Sequence, residues 1–154
     1  MPFEPKFIPK SGQIDFTNIR RAPVINCLVK YKDNILLLKR SKKMRLYPGY
    51  WSGVSGFLDD DQGVEAKVRE ELKEELGISK EDILSIKQGE VFEREEEKYQ
   101  KTWVVHPIFV SLKTDKIRLD WEAEEYVWAS PKEIKNFDVI PGFEKILKSF
   151  DLMI

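Results

Sequence analysis

From residue 22 onward the chain alternates between apolar runs and polar turn clusters. VINCLV and ILLLKR are dense in aliphatic and β-branched residues and are separated by the turn-forming Lys32-Asp33-Asn34, which predicts two strands joined there. Residues 41–56, SKKMRLYPGYWSGVSG, are rich in Gly, Ser and basic side chains and read as loop with a short strand near Val54. The apolar spacing then changes to that of a helix, with Val68, Leu72 and Leu76 on one stripe, predicting a helix over Val64–Leu76 stopped by Gly77. Two β-rich runs, LSIKQGEVFERE and TWVVHPIFVSLK, bracket the polar segment EEKYQK, and residues 124–129 form a further strand. Ser130-Pro131-Lys132-Glu133 is a capping box with proline at the first helical position. Phe143, Ile146, Leu147 and Phe150 then recur at i, i+3, i+4 and i+7, as in an amphipathic helix.

Residues 1–21 precede this pattern and carry three prolines. They read as an extended N-terminal arm, with an edge strand expected over residues 13–18. The order of strands, central helix, strands and helices describes one mixed α/β domain of the α+β type over residues 22–154. A length of 154 residues with 42% hydrophobic and 34% charged content suits a single folded domain.

Charge and composition remove several function classes. Lys+Arg (26) and Asp+Glu (27) nearly cancel, so no global field draws the chain to a nucleic acid polymer or an anionic membrane. No apolar run approaches the roughly 20 residues a membrane span needs, and the N-terminus lacks a secretion signal pattern, so a cytoplasmic location is expected. One cysteine, Cys27, and one histidine, His106, exclude an intramolecular disulfide and a Cys/His zinc site. Cys27 reads as a small core residue and His106 as structural.

The helix over residues 64–76 carries Glu70, Glu71, Glu74 and Glu75. Like charges at i,i+3 and i,i+4 destabilise a helix by a few tenths of a kcal/mol per pair. At about 100° per residue, Glu74, Glu71 and Glu75 lie ~40°, ~100° and ~140° from Glu70, while Val68, Leu72 and Leu76 lie near ~160–240°. The carboxylates therefore share one face and border the apolar stripe, where unpaired charge is expensive. Either the face is a solvated acidic surface, or a hard divalent cation such as Mg²⁺ sits among these oxygens.

The segment GFLDDDQGVEAKVREELKEELGI (residues 56–78) resembles the box of the Nudix hydrolase superfamily, Gx5Ex7REUxEExGU with U aliphatic. Gly56 opens it and Glu71-Leu72-Lys73-Glu74-Glu75-Leu76-Gly77-Ile78 closes it. ILLLKR, YPGYWS and EEYVWASPKEI resemble the family's flanking strand, its approach to the box and its later strand and short helix. Two positions depart: the family's first Glu is Gln62 here, and its Arg falls on Glu70. Lys67, four residues before Glu71, lies on the correct side to take over from that Arg, which in the family helps hold the metal-binding glutamates.

The resemblance implies an α/β/α sandwich with a mixed central sheet and the box helix following a loop. It also implies Mg²⁺- or Mn²⁺-dependent hydrolysis of a diphosphate linked to another moiety, with a small-molecule substrate. Glu71, Glu74, Glu75 and the backbone carbonyl of Ser55 would be metal ligands. Glu74, Glu75 or a later glutamate (Glu122, Glu124 or Glu125, of which Glu125 is taken forward) would be the general base. Arg40 would meet substrate phosphate, and Tyr50, Trp51 and Phe57, near the mouth, would stack on a base; Trp103 and Trp128 are assigned to the core. The expected substrate is an NTP, ADP-ribose or nucleotide sugar, and a homodimer is left open. Two alternatives stand beside this reading. A non-catalytic Nudix-fold sensor is suggested by Gln62 and Glu70. An isopentenyl-diphosphate isomerase is suggested by YPGYWS, but SGVSGFLDD lacks the cysteine and histidine that such enzymes carry there.

Overall fold

The computed structural model describes residues 8–152. Its centre is a parallel pair, β1 (Arg21–Tyr31) and β7 (Lys101–Leu112), in register from Arg21 opposite Thr102 to Lys30 opposite Ser111. The outer edge of each strand is shared by two partners in turn. Along β1, β4 (Val54–Phe57) pairs with residues 24–27, and β2 (Asn34–Arg40) takes over at Lys30 and Tyr31. Along β7, β6 (Phe92–Glu96) pairs with residues 101–105, and β5 (Ile83–Gln88) with residues 108–112. β2 carries β3 (Trp51–Ser52) and β8 (Ala123–Ala129), completing an eight-stranded mixed sheet. Where β1 changes partner the sheet divides, and a cleft opens beside its N-terminal half.

The period-2 pattern of β1 assigns the two layers. Ile25, Cys27 and Val29 pack on one face with Val68, Leu72 and Leu76 of α1 (Val64–Leu76). Ala22, Val24 and Leu28 pack on the other with Trp103, Val105 and the Phe143, Ile146 and Leu147 of α2 (Phe143–Ser149). The expected α/β/α sandwich is thus formed. Val68, Leu72 and Leu76 are fully buried, each contributing about 1.5–3 kcal/mol. α1 ends where predicted: Gly77 adopts φ +69°, its N–H donates to the Lys73 carbonyl at 3.0 Å and the Ile78 N–H to the Leu72 carbonyl at 3.2 Å, a left-handed end that glycine reaches without strain.

Two local expectations change. Residues 13–18 are not a strand: their backbone groups are taken by other partners. Ile14 N–H donates to the Asp59 carbonyl at 2.7 Å, and the Lys101 ammonium donates to the carbonyls of Phe16, Thr17 and Ile19. The capping box forms, with Ser130 N–H donating to Glu133 Oε1 at 2.8 Å, but it starts only a short 3-10 helix, Pro131–Asn136. The amphipathic helix begins separately, after Pro141-Gly142.

Candidate active site

The cleft is a cavity of about 710 Å³, within the range of small-molecule sites. Its walls come from the N-terminal arm, β1, β4, α1, β6, β7 and residues 120–122. Chemically it has two ends. Ser55, Gly56, Asp59, Glu70, Glu71, Glu74 and Glu122 line an acidic end. Phe16, Phe57, Phe92, Trp103 and Ile146 line an aromatic one.

At the acidic end α1 runs beside β4 so closely that a Cβ on Gly56 would lie 2.8 Å from the Glu71 carboxyl. Glycine at the start of the segment therefore makes room for a carboxylate. Glu75 is buried at 7% exposure, and its Oε2 has no hydrogen-bond partner. Burial, reinforced by Glu122 and Glu71, raises its pKa well above the ordinary carboxylate range. Burial, more than its charged neighbours, lifts the Glu71 pKa to about 7. Glu74, exposed on the next turn, is raised by partial burial and by Glu70.

This donor set fits a hard divalent cation. Carboxylate oxygens clustered on one helix face, with Glu75 Oε2 buried and unpartnered among the described residues, are the groups such a cation would neutralise. Among the described residues no three Asp, Glu, His or Cys side chains stand ready-made around an ion.

The two departures from the box touch each other. Gln62 Nε2 donates to Glu70 Oε2 at 2.7 Å and to Asp60 Oδ2 at 2.7 Å. Lys67, 3% exposed, places its ammonium 2.9 Å from Asp59, 3.1 Å from Asp60 and 3.3 Å from Glu70. Burial opposes that charge, but the hydrogen bonds from Asp59 and Asp60 outweigh it and the pKa is raised. The cation expected from Lys67 is thus present, although it holds Glu70 and the 59–60 turn; Glu71 feels it only through space. Asp59 and Asp60 were not singled out in the sequence, although an acidic run seven and eight residues before a lysine destined for burial was a usable signal.

The remaining expected residues divide. Ser55, Phe57 and Arg40 line the cavity. Arg40 is 9% exposed, and its Nε donates to the Leu46 carbonyl at 2.9 Å, which ties the guanidinium to the loop beneath it. Tyr50 and Trp51 are not among the lining residues: Tyr50 is exposed beside Tyr47, and Trp51 packs edge-on against Phe137 at 5.1 Å. Glu125 lies exposed on β8 opposite Lys39, whereas Glu122 lines the cavity and acts on Glu75. Trp103 is both core and cavity floor, and Phe16, on the arm, had no sequence signal at all. His106 is outside the lining and Cys27 is buried. No described helix is long and apolar enough to cross a membrane.

Known proteins agree with this geometry. A profile of the NUDIX domain matches residues 20–150. Nucleoside triphosphatase NudI from Klebsiella pneumoniae is 25% identical over 131 residues, covering 79% of this chain and 90% of that protein. The crystal structure of a MutT protein from Methanosarcina mazei superimposes with TM-score 0.66 at 24% identity, covering 87% and 95% of the two chains. The NUDIX domain of Shewanella oneidensis NrtR, solved with ADP ribose, gives 0.71 at 13% identity, covering 84% and 86%. With its box helix, its divided sheet and a profile match across nearly the whole domain, the chain belongs to the NUDIX superfamily and is a pyrophosphohydrolase of that type.

Proposed function

We propose that the protein hydrolyses the diphosphate linkage of a nucleoside diphosphate-linked compound, an NTP, ADP-ribose or a nucleotide sugar. Glu71, Glu74, Glu75 and the Ser55 carbonyl would hold Mg²⁺ or Mn²⁺. The observation that carries this reading is half-buried Glu71 beside buried Glu75, whose Oε2 has no partner among the described residues. A bound divalent cation supplies charge neutralisation at phosphate oxygens and lowers the pKa of a bound water. The chain's own groups orient the rest. Arg40, tied by its Nε to Leu46, presents its guanidinium to the cavity, where substrate phosphate would lie. Glu74 or Glu75 would accept a proton from the attacking water; Glu74 lines the cavity, as does Glu122, whereas Glu75 is buried behind the lining. Glu125, exposed on β8, would need a substantial movement to join them.

The nucleoside triphosphatase among the relatives and the ADP ribose in a structural neighbour support the nucleoside-linked class. The paired contact of Gln62 with Glu70 favours catalysis over sensing, since the two departures make a mutual hydrogen bond instead of two broken ones. The test is product release from a panel of nucleoside triphosphates, ADP-ribose and nucleotide sugars in Mg²⁺ and Mn²⁺, with ¹⁸O-labelled water. Label in a phosphate product, lost in Glu75→Gln, is the expected result. Metal and nucleotide binding without turnover across the panel would overturn it in favour of a sensor.

A further inference from the structure

Burial alternates along β6: Phe92, Arg94 and Glu96 turn inward, while Glu93 and Glu95 face solvent and pair with Arg21 and Arg20. An inward strand position is an unusual place for a guanidinium. Arg94 nevertheless lines the cavity, and its surroundings are shaped to hold it. A Cβ on Gly142, another lining residue, would lie 3.0 Å from Arg94 Nε, much as one on Gly56 would meet Glu71. Arg94 Nη2 donates to the Tyr47 hydroxyl at 2.9 Å, Nη1 donates to Glu96 Oε1 at 3.3 Å, and the hydroxyl donates to that same Oε1 at 2.7 Å. Two acceptors so close together share the outer edge of the guanidinium, between Nη1 and Nη2. The side edge, Nε with the second N–H of Nη2, makes no hydrogen bond among the described residues. Tyr47 is itself held at φ +49°, with its N–H on Tyr99 Oη at 2.9 Å, a strained conformation of the kind retained at ligand sites.

The sheet register places this edge far from the carboxylates. Phe57 of β4, next to Gly56, pairs with Val24, Val24 with Val105, and Val105 with Phe92 of β6. Three strand spacings, roughly 14 Å, therefore separate the backbone beside Glu71 from the strand that carries Arg94. A diphosphate held among Glu71, Glu74 and Arg40 reaches Arg94 only with its other half. We propose that Arg94 is a specificity-determining residue that binds a second anionic group, a phosphate or carboxylate, on the far half of the substrate. The side edge of a guanidinium offers two parallel N–H groups, the geometry that matches either anion. Tyr47 and Glu96 are positioning residues that turn this edge toward the cavity. The proposal rests on the nucleoside-linked reading above and narrows it to diphosphate compounds with a charged far end.

Matched ligands that differ by one anionic group test it. AMP is compared with adenosine 2′,5′- and 3′,5′-bisphosphate by calorimetry, and UDP-glucose with UDP-glucuronate by calorimetry and by kcat/KM in Mg²⁺. Wild type, Arg94→Gln, Arg94→Lys and Glu96→Gln are used. Wild type should favour the charged member of at least one pair by about tenfold or more, and the pair that discriminates names the group as phosphate or carboxylate. In Arg94→Gln the preference should shrink to about twofold or less, with Arg94→Lys, which keeps the charge and loses the fork, in between. Glu96→Gln disturbs the internal pair but leaves the guanidinium, so it should keep most of the preference. Equal affinity within every pair in wild type would overturn the proposal, as would a preference that survives in Arg94→Gln. A loss in Glu96→Gln as complete as in Arg94→Gln would also overturn it, by reducing Arg94 to a structural partner of Glu96. Should Arg94→Gln not fold, a preference in Arg94→Lys equal to that of wild type would overturn it. Absence of diphosphate hydrolysis in wild type would sink the parent reading, while the calorimetric pairs still decide Arg94.

Discussion

The two ends of the cavity are assembled by opposite means. At the acidic end every key carboxylate except Glu122 comes from a single stretch, the 59–60 turn and α1, so geometry is fixed mainly by helix periodicity and by one close approach at Gly56. At the aromatic end Phe16, Phe57 and Trp103 come from three distant segments, joined by the β1–β7 and β1–β4 pairings and by one lysine reaching 85 residues back to the arm. The acidic end holds electrostatic tension, with raised carboxyl pKa values and a buried oxygen unpartnered among the described residues. The aromatic end is held by packing and carries no such tension. A cation can relieve the first and has nothing to act on at the second, so the two should respond differently to metal, pH and mutation.

The largest contrast is expected for Glu75→Gln. Turnover in Mg²⁺ should drop at least about a hundredfold, since losing even a group that merely supports a ligand costs 10–100-fold. The melting temperature should hold or rise, because a neutral amide replaces a buried carboxyl and can donate to Glu71. Wild-type turnover in this variant would remove Glu75 from the site. Lys67→Met comes next: stripping the cation from Asp59, Asp60 and Glu70 leaves buried negative charge unpaired, a loss of about 3–5 kcal/mol. Urea unfolding would measure it.

Third, pH near neutrality should act most strongly on the acidic end. Glu71 is raised from 4.5 to about 7 and Glu75 is also raised, so the native state holds more protons than the unfolded chain between these values. The contribution of this pair to metal-free stability should therefore be fullest below about pH 4.5 and fall as pH rises through 7, by roughly 2–3 kcal/mol from Glu71. Saturating Mg²⁺ should flatten the slope, and Glu71→Gln should remove its share. A metal-free protein equally stable at pH 5 and pH 8 would contradict the buried pair. The smallest effect concerns the swapped positions. Gln62→Glu sets a carboxylate against Glu70 and Asp60 and should cost about 1 kcal/mol, and Glu70→Arg should cost a similar amount beside Lys67. The double substitution should recover part of this, as residues in contact couple by 0.5–3 kcal/mol.

The same contrast explains what could be read from the sequence. The span of α1, its stop at Gly77 and the shared face of four glutamates follow from local spacing, and local spacing survives folding. Lys67 was placed on the correct side by the same wheel, but its partners, Asp59 and Asp60, belong to the turn before α1, whose direction no periodicity gives. Tyr50 and Trp51 sit in sequence beside the cavity's approach loop. The two-residue pairing of β3 with β2 nevertheless turns Trp51 onto Phe137. Trp103 reads as core because it alternates with core residues, and it is core; that it also floors the cavity depends on where the sheet divides. The arm looked like a strand because it is extended, but its carbonyls belong to Lys101. No spacing rule links residues 16 and 101.

Glu71 and Glu75, both raised in pKa, should give up protons when a divalent cation binds beside them. The direct measurement is calorimetric titration of Mn²⁺ into the metal-free protein near pH 6.5, in two buffers of different ionisation enthalpy. The expected result is net proton release on binding in wild type, diminishing toward pH 8 and reduced in Glu75→Gln. Mn²⁺ binding with no proton release in wild type, or release undiminished in Glu75→Gln, would contradict it.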